Sequence, residues 1–339
     1  MTTDVLARTP GDPPPGDVGA PAVYGSWSSI IRRSAAGVVL AVVVLVGIVA
    51  FGRDFANADN FANIAASSSF LAIIAIGMTF VIIGGGIDLS VGSLYALAAV
   101  LAAYSSQWGS AAAIVVPILV CGAIGTVQGA LIGRVGLPPF IITLAGLLFA
   151  RGLAFKVSDN GNTTYLIDSG RWIRHLGQGR VIGVGVPVWI ALVLYAAGLV
   201  LLNRTRFGQS VFAVGGSEDA ATLMGLRVAR VKIALYTMSG ALSGLAGMLV
   251  AARSSSGLST IGSGLELQAI AAVVIGGTLL SGGAGGLVGT LTGVLLLGVI
   301  QNLINQVGTL REYHQQVVSG IFLILVVTAQ TLVGRRERA

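Results

Sequence analysis

Few residues in this sequence have the chemistry for catalysis, and their types narrow what that chemistry can be. Two histidines, His175 and His314, and one cysteine, Cys121, are present. There is no His-Glu-x-x-His pattern and no cysteine cluster, so a zinc site or an imidazole-based catalytic site has almost no raw material. The lysines are Lys156 and Lys232, and neither closes a G-x-x-x-x-G-K-S/T phosphate loop. The chain therefore does not hydrolyse ATP by itself. No nucleophile–base pair stands out either, which argues against an intramembrane enzyme. What remains is a handful of acids set among glycines. Asp88 stands in VIIGGGIDLSVGSL (Val81–Leu94), Glu218 and Asp219 follow Gly215-Gly216-Ser217, and Glu266 follows Gly262 and Gly264.

Asp88 is the most constrained of these. Gly84, Gly85 and Gly86 each weaken a helix by roughly 1 kcal/mol relative to Ala, and an ionised aspartate facing lipid costs roughly 2.5–3.5 kcal/mol on insertion scales. The backbone has to turn here inside protein or beside water. Asp88 and Ser90 then open the next helix, where a carboxylate or hydroxyl accepts from unpaired backbone N–H groups. The same aspartate suits the lining of a solute path, and the two readings are compatible. A second stretch, Val273–Thr290, puts Val273, Ile275, Gly276 and Gly277 in the places of Val81, Ile83, Gly84 and Gly85. Gly276 and Gly277 thus join Gly84, Gly85, Gly86, Asp88 and Ser90 as candidates for a broken-helix path, with close helix packing as the competing explanation of the glycines. Glu266, Gln268, Asn302 and Asn305 are candidates for a polar external vestibule. Against that stand a first-turn acid favourable to the helix dipole, for Glu266, and interhelical hydrogen bonding, for the asparagines.

The elements that position these residues follow from composition. Of 339 residues, 55% are hydrophobic and only 10% charged, against roughly 25% charged in soluble domains. Runs such as Ser34–Phe51 are apolar on every face, which excludes the alternation of a membrane β-barrel. The fold class is all-α: a polytopic membrane protein of about ten helices, in two structurally related halves with broken helices near the midplane. Hydropathy places spans at 34–51, 61–83, 87–105, 110–132, 138–157, 186–202, 232–252, 265–281, 284–304 and 315–333. Residues 1–30, with Pro10, Pro13, Pro14, Pro15 and Pro21, lack apolar residues to pack and read as a disordered cytoplasmic tail. A membrane domain over 31–334 and a basic end over 335–339 follow. Arginines concentrate on the side of both termini, which puts both in the cytoplasm. The net charge of +7 is scattered over span ends, so it sets topology and does not mark a nucleic-acid surface. Cys121, inside an apolar run, reads as a buried small hydrophobe.

The connection over about 206–231 lies on the cytoplasmic side. Gly215 and Gly216 end one element and Ser217 caps the next, with Glu218 and Asp219 in the first turn of a helix to about Leu223 that Gly225 terminates. Ala221, Leu223, Met224 and Leu226 would face a partner's groove or the lipid headgroups.

Three segments in order, GGGIDLSVGS (Gly84–Ser93), AVGGSEDAATLMGL (Ala213–Leu226) and ELQAIAAVVIGGTLLSGGAGG (Glu266–Gly286), together resemble the permease subunits of bacterial ribose/xylose-type sugar ABC importers. The likeness runs from the first span to the last. Branched-chain amino-acid permeases share the broader family, but GIDLSVGS is more similar to the sugar branch. The resemblance implies location in the bacterial cytoplasmic (inner) membrane and a dimer with a second permease copy or homologue. It also implies two cytoplasmic ATP-binding subunits, which hold the ATP and Mg while this chain binds no cofactor, and an external solute-binding protein that delivers a monosaccharide. Asp219-Ala220-Ala221 followed by Gly225 is similar to the E-A-A-x-x-x-G motif that docks permease to ATPase, with Asp in place of Glu. Ser217, Glu218, Asp219, Ala220, Ala221 and Gly225 are accordingly expected to couple the chain to its ATPase, and transport is expected to proceed by alternating access. The competing class is an ion-coupled secondary transporter of a small polar solute, with Asp88 as the buried acid.

Overall fold

The computed structural model describes residues 26–307, with residues 317 and 320 beyond them. Five helices come first: α1 (Ser26–Phe51), α2 (Ala58–Ile83), α3 (Val91–Ser105), α4 (Ser110–Ala130, prolonged by a π-turn over Leu131–Val135) and α5 (Pro139–Val157). A long connection then holds β1 (Tyr165–Leu166), α6 (Ile173–Gln178), β2 (Arg180–Val181) and β3 (Val184–Gly185). It is followed by α7 (Val186–Arg204), α8 (Arg206–Gly216), α9 (Glu218–Leu223), α10 (Val228–Ser254), β4 (Ser256–Gly257), α11 (Leu265–Ile275) and α12 (Leu287–Val307). β1 pairs antiparallel with β4 and β2 with β3, so the strands are confined to connections.

Among the described residues, seven helices are long and apolar enough to cross a membrane: α1, α2, α4, α5, α7, α10 and α12. Two expected spans, 87–105 and 265–281, prove shorter. α3 has 15 residues and α11 has 11, about 22 Å and 16 Å at about 1.5 Å per residue, short of the roughly 30 Å hydrocarbon core. Glycine-rich backbone replaces helix before α3 and after α11, and hydropathy averaged over apolar neighbours does not register the change. The tenth expected span, 315–333, lies outside the described residues except at 317 and 320, and the basic end 335–339 lies wholly outside. Of the expected tail, residues 26–30 belong to α1 and the remainder is outside.

α2 is enclosed by protein, with 89% of its most apolar window buried, whereas the corresponding figure for α1 is 11%. A helix that is apolar all round belongs in such an interior, and Ile73, Ile74, Met78, Phe80 and Ile82 are fully buried. α10 packs on α2, α3 and α4. Its seam with α4 is backbone on backbone. Gly125 lies against Tyr236 C=O, Gly129 and Gly133 against Ile233 and Ala229, and in return Gly240 and Gly244 lie against Cys121 and Pro117 C=O. Small residues at a spacing of four let two helix axes approach this closely, and the hydroxyls of Thr126 and Thr237 close the seam at 2.8 Å. Cys121 is buried there, with Sγ 3.5 Å from Leu94 C=O. Along α2, Ala66 is level with Gly185 of the β2–β3 hairpin and Ile83 meets Gly215 at the end of α8. The β2–β3 hairpin and the α8–α9 turn therefore lie at opposite ends of the bundle.

Candidate functional site

α2 stops at Ile83. The N–H groups of Gly84, Gly85 and Gly86 turn back onto the carbonyls of Phe80, Ile82 and Val81 at 3.0, 3.0 and 2.9 Å. Gly85 takes a left-handed backbone (φ +79°) that any side chain would strain. Gly84 packs on Leu235 and Gly86 on the Tyr236 hydroxyl, with no room for a methyl at either. Tyr236 Oη in turn donates to Ile87 C=O at 3.4 Å, and Thr143 Oγ1 of α5 lies 3.3 Å from the same carbonyl. The unwound stretch is thus clasped by α10 and α5.

Asp88 follows, fully buried. Its Oδ1 accepts from Ser90 N–H at 2.9 Å and from Ser90 Oγ at 2.6 Å, and its Oδ2 accepts from Ser239 Oγ of α10 at 2.7 Å. None of these donors is a cation. Ser90 occupies the N-cap of α3 without a side-chain capping bond, because its hydroxyl is turned to Asp88. Gln128 of α4 completes the cluster, with Oε1 3.3 Å from Ser90 Oγ and Nε2 without a partner among the described residues. The two ends of an amide exchange by rotation, and in the turned position Nε2 donates to Ser90 Oγ while that hydroxyl's own proton goes to Asp88.

α11 ends in the same way as α2. The N–H groups of Gly276, Gly277 and Thr278 meet the carbonyls of Ala272, Val274 and Val273 at 3.0, 2.9 and 3.2 Å, and Gly277 has φ +88°. The likeness between the two sequence stretches is therefore a likeness of helix endings. Beyond it they diverge, with Leu280 where Asp88 would fall. Gly276 packs backbone to backbone on Gly289 of α12, and Gly293 packs on Ala272, so these glycines serve the α11–α12 contact.

Before α11 the chain re-enters the bundle alongside α3. Gly257 lies against Ala99 and Ala103, and Gly262 against Gly92 and Tyr95. The start of α11 is thereby brought to the start of α3, roughly 16 Å along that helix from Ala103. Glu266 sits at this meeting point beside Gly92, and its Oε2 has no hydrogen-bond partner among the described residues. Arg151 interacts with it electrostatically while donating to the carbonyls of Ser259 and Ile261 at 3.0 and 2.8 Å. Glu266 is half-buried at this meeting point, in the first turn of α11. Gln268, half-buried, is one turn into α11, its N–H on Gly264 C=O. Asn302 of α12 is bound to α2, exchanging amide bonds of 3.2 and 2.8 Å with Asn60 and accepting from Gln306 at 3.1 Å. Asn305 is exposed on the same helix.

At the opposite end from the β2–β3 hairpin, Thr205 caps α8 through Gly208 N–H at 3.2 Å, and Ser217 caps α9 through Ala220 N–H at 3.2 Å. Gly225 closes α9 with its N–H on Thr222 C=O at 2.9 Å, and Leu226 N–H reaches Ala221 C=O at 3.0 Å. Glu218 pairs with Lys232 of α10 at 2.6 Å. Asp219 and Ala220 are exposed, as are Leu223 at 89% and Met224 at 68%. Ala221 and Leu226 differ from expectation. Ala221 is buried and Leu226 half-buried against the core, because the closing turn folds the chain back onto α10 and leaves Leu223 and Met224 as the large apolar side chains of the outer face.

The structure brings Gly84, Gly85, Gly86, Asp88 and Ser90 together with Ser239, Gln128, Thr143 and Tyr236, which no motif in the sequence marks. The only trace of Ser239 in the sequence is its place, with Gly240, Ser243 and Gly244, on the small-residue face of α10.

The profile of a family described as "Branched-chain amino acid transport system / permease component" matches residues 60–327. Among curated proteins, the chain is 40% identical over 293 residues to the ribose import permease protein RbsC of Escherichia coli, covering 85% of this chain and 91% of the relative. It is 35% identical over 326 residues to the L-arabinose ABC transporter permease protein AraH of Azospirillum brasilense, covering 95% and 94%. To the fructose import permease protein FruG of Bifidobacterium longum it is 33% identical over 314 residues, covering 90% and 92%. No solved structure matches the chain.

Proposed function

The chain belongs to the family of permease components of branched-chain amino acid transport systems, and from that premise we propose that it is the membrane-spanning subunit of an ATP-driven importer of a monosaccharide of the pentose or hexose class. The sugars named for the relatives, ribose, L-arabinose and fructose, support that substrate class. The observation that carries the reading is α9. It is a short helix fixed at both ends by caps and to α10 by Glu218–Lys232, and it turns Asp219, Leu223 and Met224 outward. An exposed apolar pair beside an acid on a clamped helix suits insertion into a partner's groove, and a chain without a phosphate loop needs such a partner to draw on ATP.

In this reading α8 and α9 face the cytoplasm with both termini, the hairpin end receives the solute-binding protein, and a second permease copy or homologue completes the pathway. The permease itself is not an enzyme. ATP and Mg bind to the partner, whose closure displaces α9 and exchanges outward and inward openings around the broken helices. Half-helices whose starts meet inside the bundle, as those of α3 and α11 do at Gly92 and Glu266, are a recurrent way to present a polar path in lipid. The competing ion-coupled transporter would use Asp88, whose carboxylate is already engaged by three N–H and O–H donors.

The test is affinity purification of the tagged chain from mildly solubilised native membranes, with ATPase assay and mass spectrometry of what accompanies it. A separate phosphate-loop ATPase is expected, and it should be lost from Asp219→Lys and Leu223→Asp variants that still insert. Isolation of the chain alone, with uptake driven by an ion gradient after reconstitution, would overturn the reading.

A further inference from the structure

The two broken segments do not lie apart. Ile83 C=O, the last carbonyl of α2, accepts the N–H of Gly283 from the α11–α12 connection at 2.9 Å. A methyl on Gly215, in the last turn of α8, would overlap that carbonyl and fall 2.8 Å from Gly283 N, and a methyl on Gly282 would fall 2.8 Å from Gly215 C=O and 2.9 Å from Gly85 Cα. Backbone from three places in the sequence meets here with no side chain between. Ser217, the cap of α9, comes two residues after Gly215.

We infer that Gly215 is a positioning residue that ties the α2–α3 and α11–α12 breaks to each other and to α9, so that a displacement of α9 moves both breaks as one body. The inference rests on the docking role proposed for α9. Side chains in contact can rotate and absorb a displacement, whereas backbone packed on backbone cannot yield without moving its whole element. Ile83 C=O is the shared point, since it is bonded from one break and covered by the end of α8. The interlock also explains why Gly215 has no side chain: a methyl there would overlap Ile83 C=O, although the adjacent Gly216 would meet nothing within 4 Å.

Hydrogen–deuterium exchange on the purified native complex, with and without ATP and vanadate, tests this. In the wild type, exchange should change together over 217–226, 81–90 and 276–286, with the Gly283 amide as the most direct reporter. In Gly215→Ala the response of 217–226 should persist while that of the two breaks falls by about tenfold or more, an overpacked contact no longer following α9. Gly216→Ala should behave as wild type. Breaks that respond undiminished in Gly215→Ala overturn the inference. So does a wild-type complex in which 217–226 responds and the breaks do not, and that measurement decides the matter even where Gly215→Ala fails to assemble. Absence of any ATPase from the wild-type preparation is a different result, which removes the docking role itself.

Discussion

Asp88 is held by a backbone N–H and two serine hydroxyls in the interior of the bundle, so its first duty is to fasten α10 to the start of α3. Asp88→Ala strands those donors at about 1–3 kcal/mol each and should lower the thermal unfolding midpoint of the detergent-solubilised protein sharply. Ser239→Ala removes one donor and should have a smaller effect in the same direction. Asp88→Asn keeps an acceptor for Ser90 N–H and supplies an amide that Ser239 Oγ can accept, and it should remain folded and support ATP-driven uptake. Loss of uptake in a folded, ATPase-bearing Asp88→Asn complex would instead assign the carboxylate to the solute path. The sequence marks Asp88 plainly, because an acid among glycines in an apolar run is costly wherever it faces lipid. It is silent on Ser239 and Gln128, since serine and glutamine on a helix are ordinary until a fold places them beside a charge.

Among the elements, the α4–α10 seam tolerates little change. Gly125→Leu would drive a side chain into Tyr236 C=O, a strain of about 1–3 kcal/mol or more, and should yield aggregated or heat-labile protein on size-exclusion and thermal-shift assays. Gly152→Leu on α5, where a methyl would meet nothing within 4 Å, should be silent in both. The end of α8 and the limits of α9 were legible in advance because caps are local: a serine, two acids and a following glycine specify a short helix by their own hydrogen bonds. The start of α3 was legible too, from Asp88 and Ser90. What no local signal carries is the seat of α11, which rests on Gly257 and Gly262 lying along α3, a contact between distant stretches.

For the molecule as a whole, the orientation proposed here can be checked with the lone native thiol as a quiet background, Cys121 being buried in the α4–α10 seam. Ile182→Cys at the β2–β3 turn is 88% exposed in its native form and Leu223→Cys on α9 is 89% exposed. A membrane-impermeant maleimide should label the first in cells with a permeabilised outer membrane and the second in inside-out vesicles. The reverse pattern would invert the topology and place α9 away from any cytosolic ATPase. The re-entrant stretch before α11 also bears on how the protein is made. An 11-residue helix with Glu266 in its first turn is too short to partition into the bilayer as it leaves the ribosome, and its seat beside Gly92 exists only once α3 is in place. The helices on either side of it, α10 and α12, are each long and apolar enough to span by themselves, so α11 should depend on them and on α3 to be held at membrane depth.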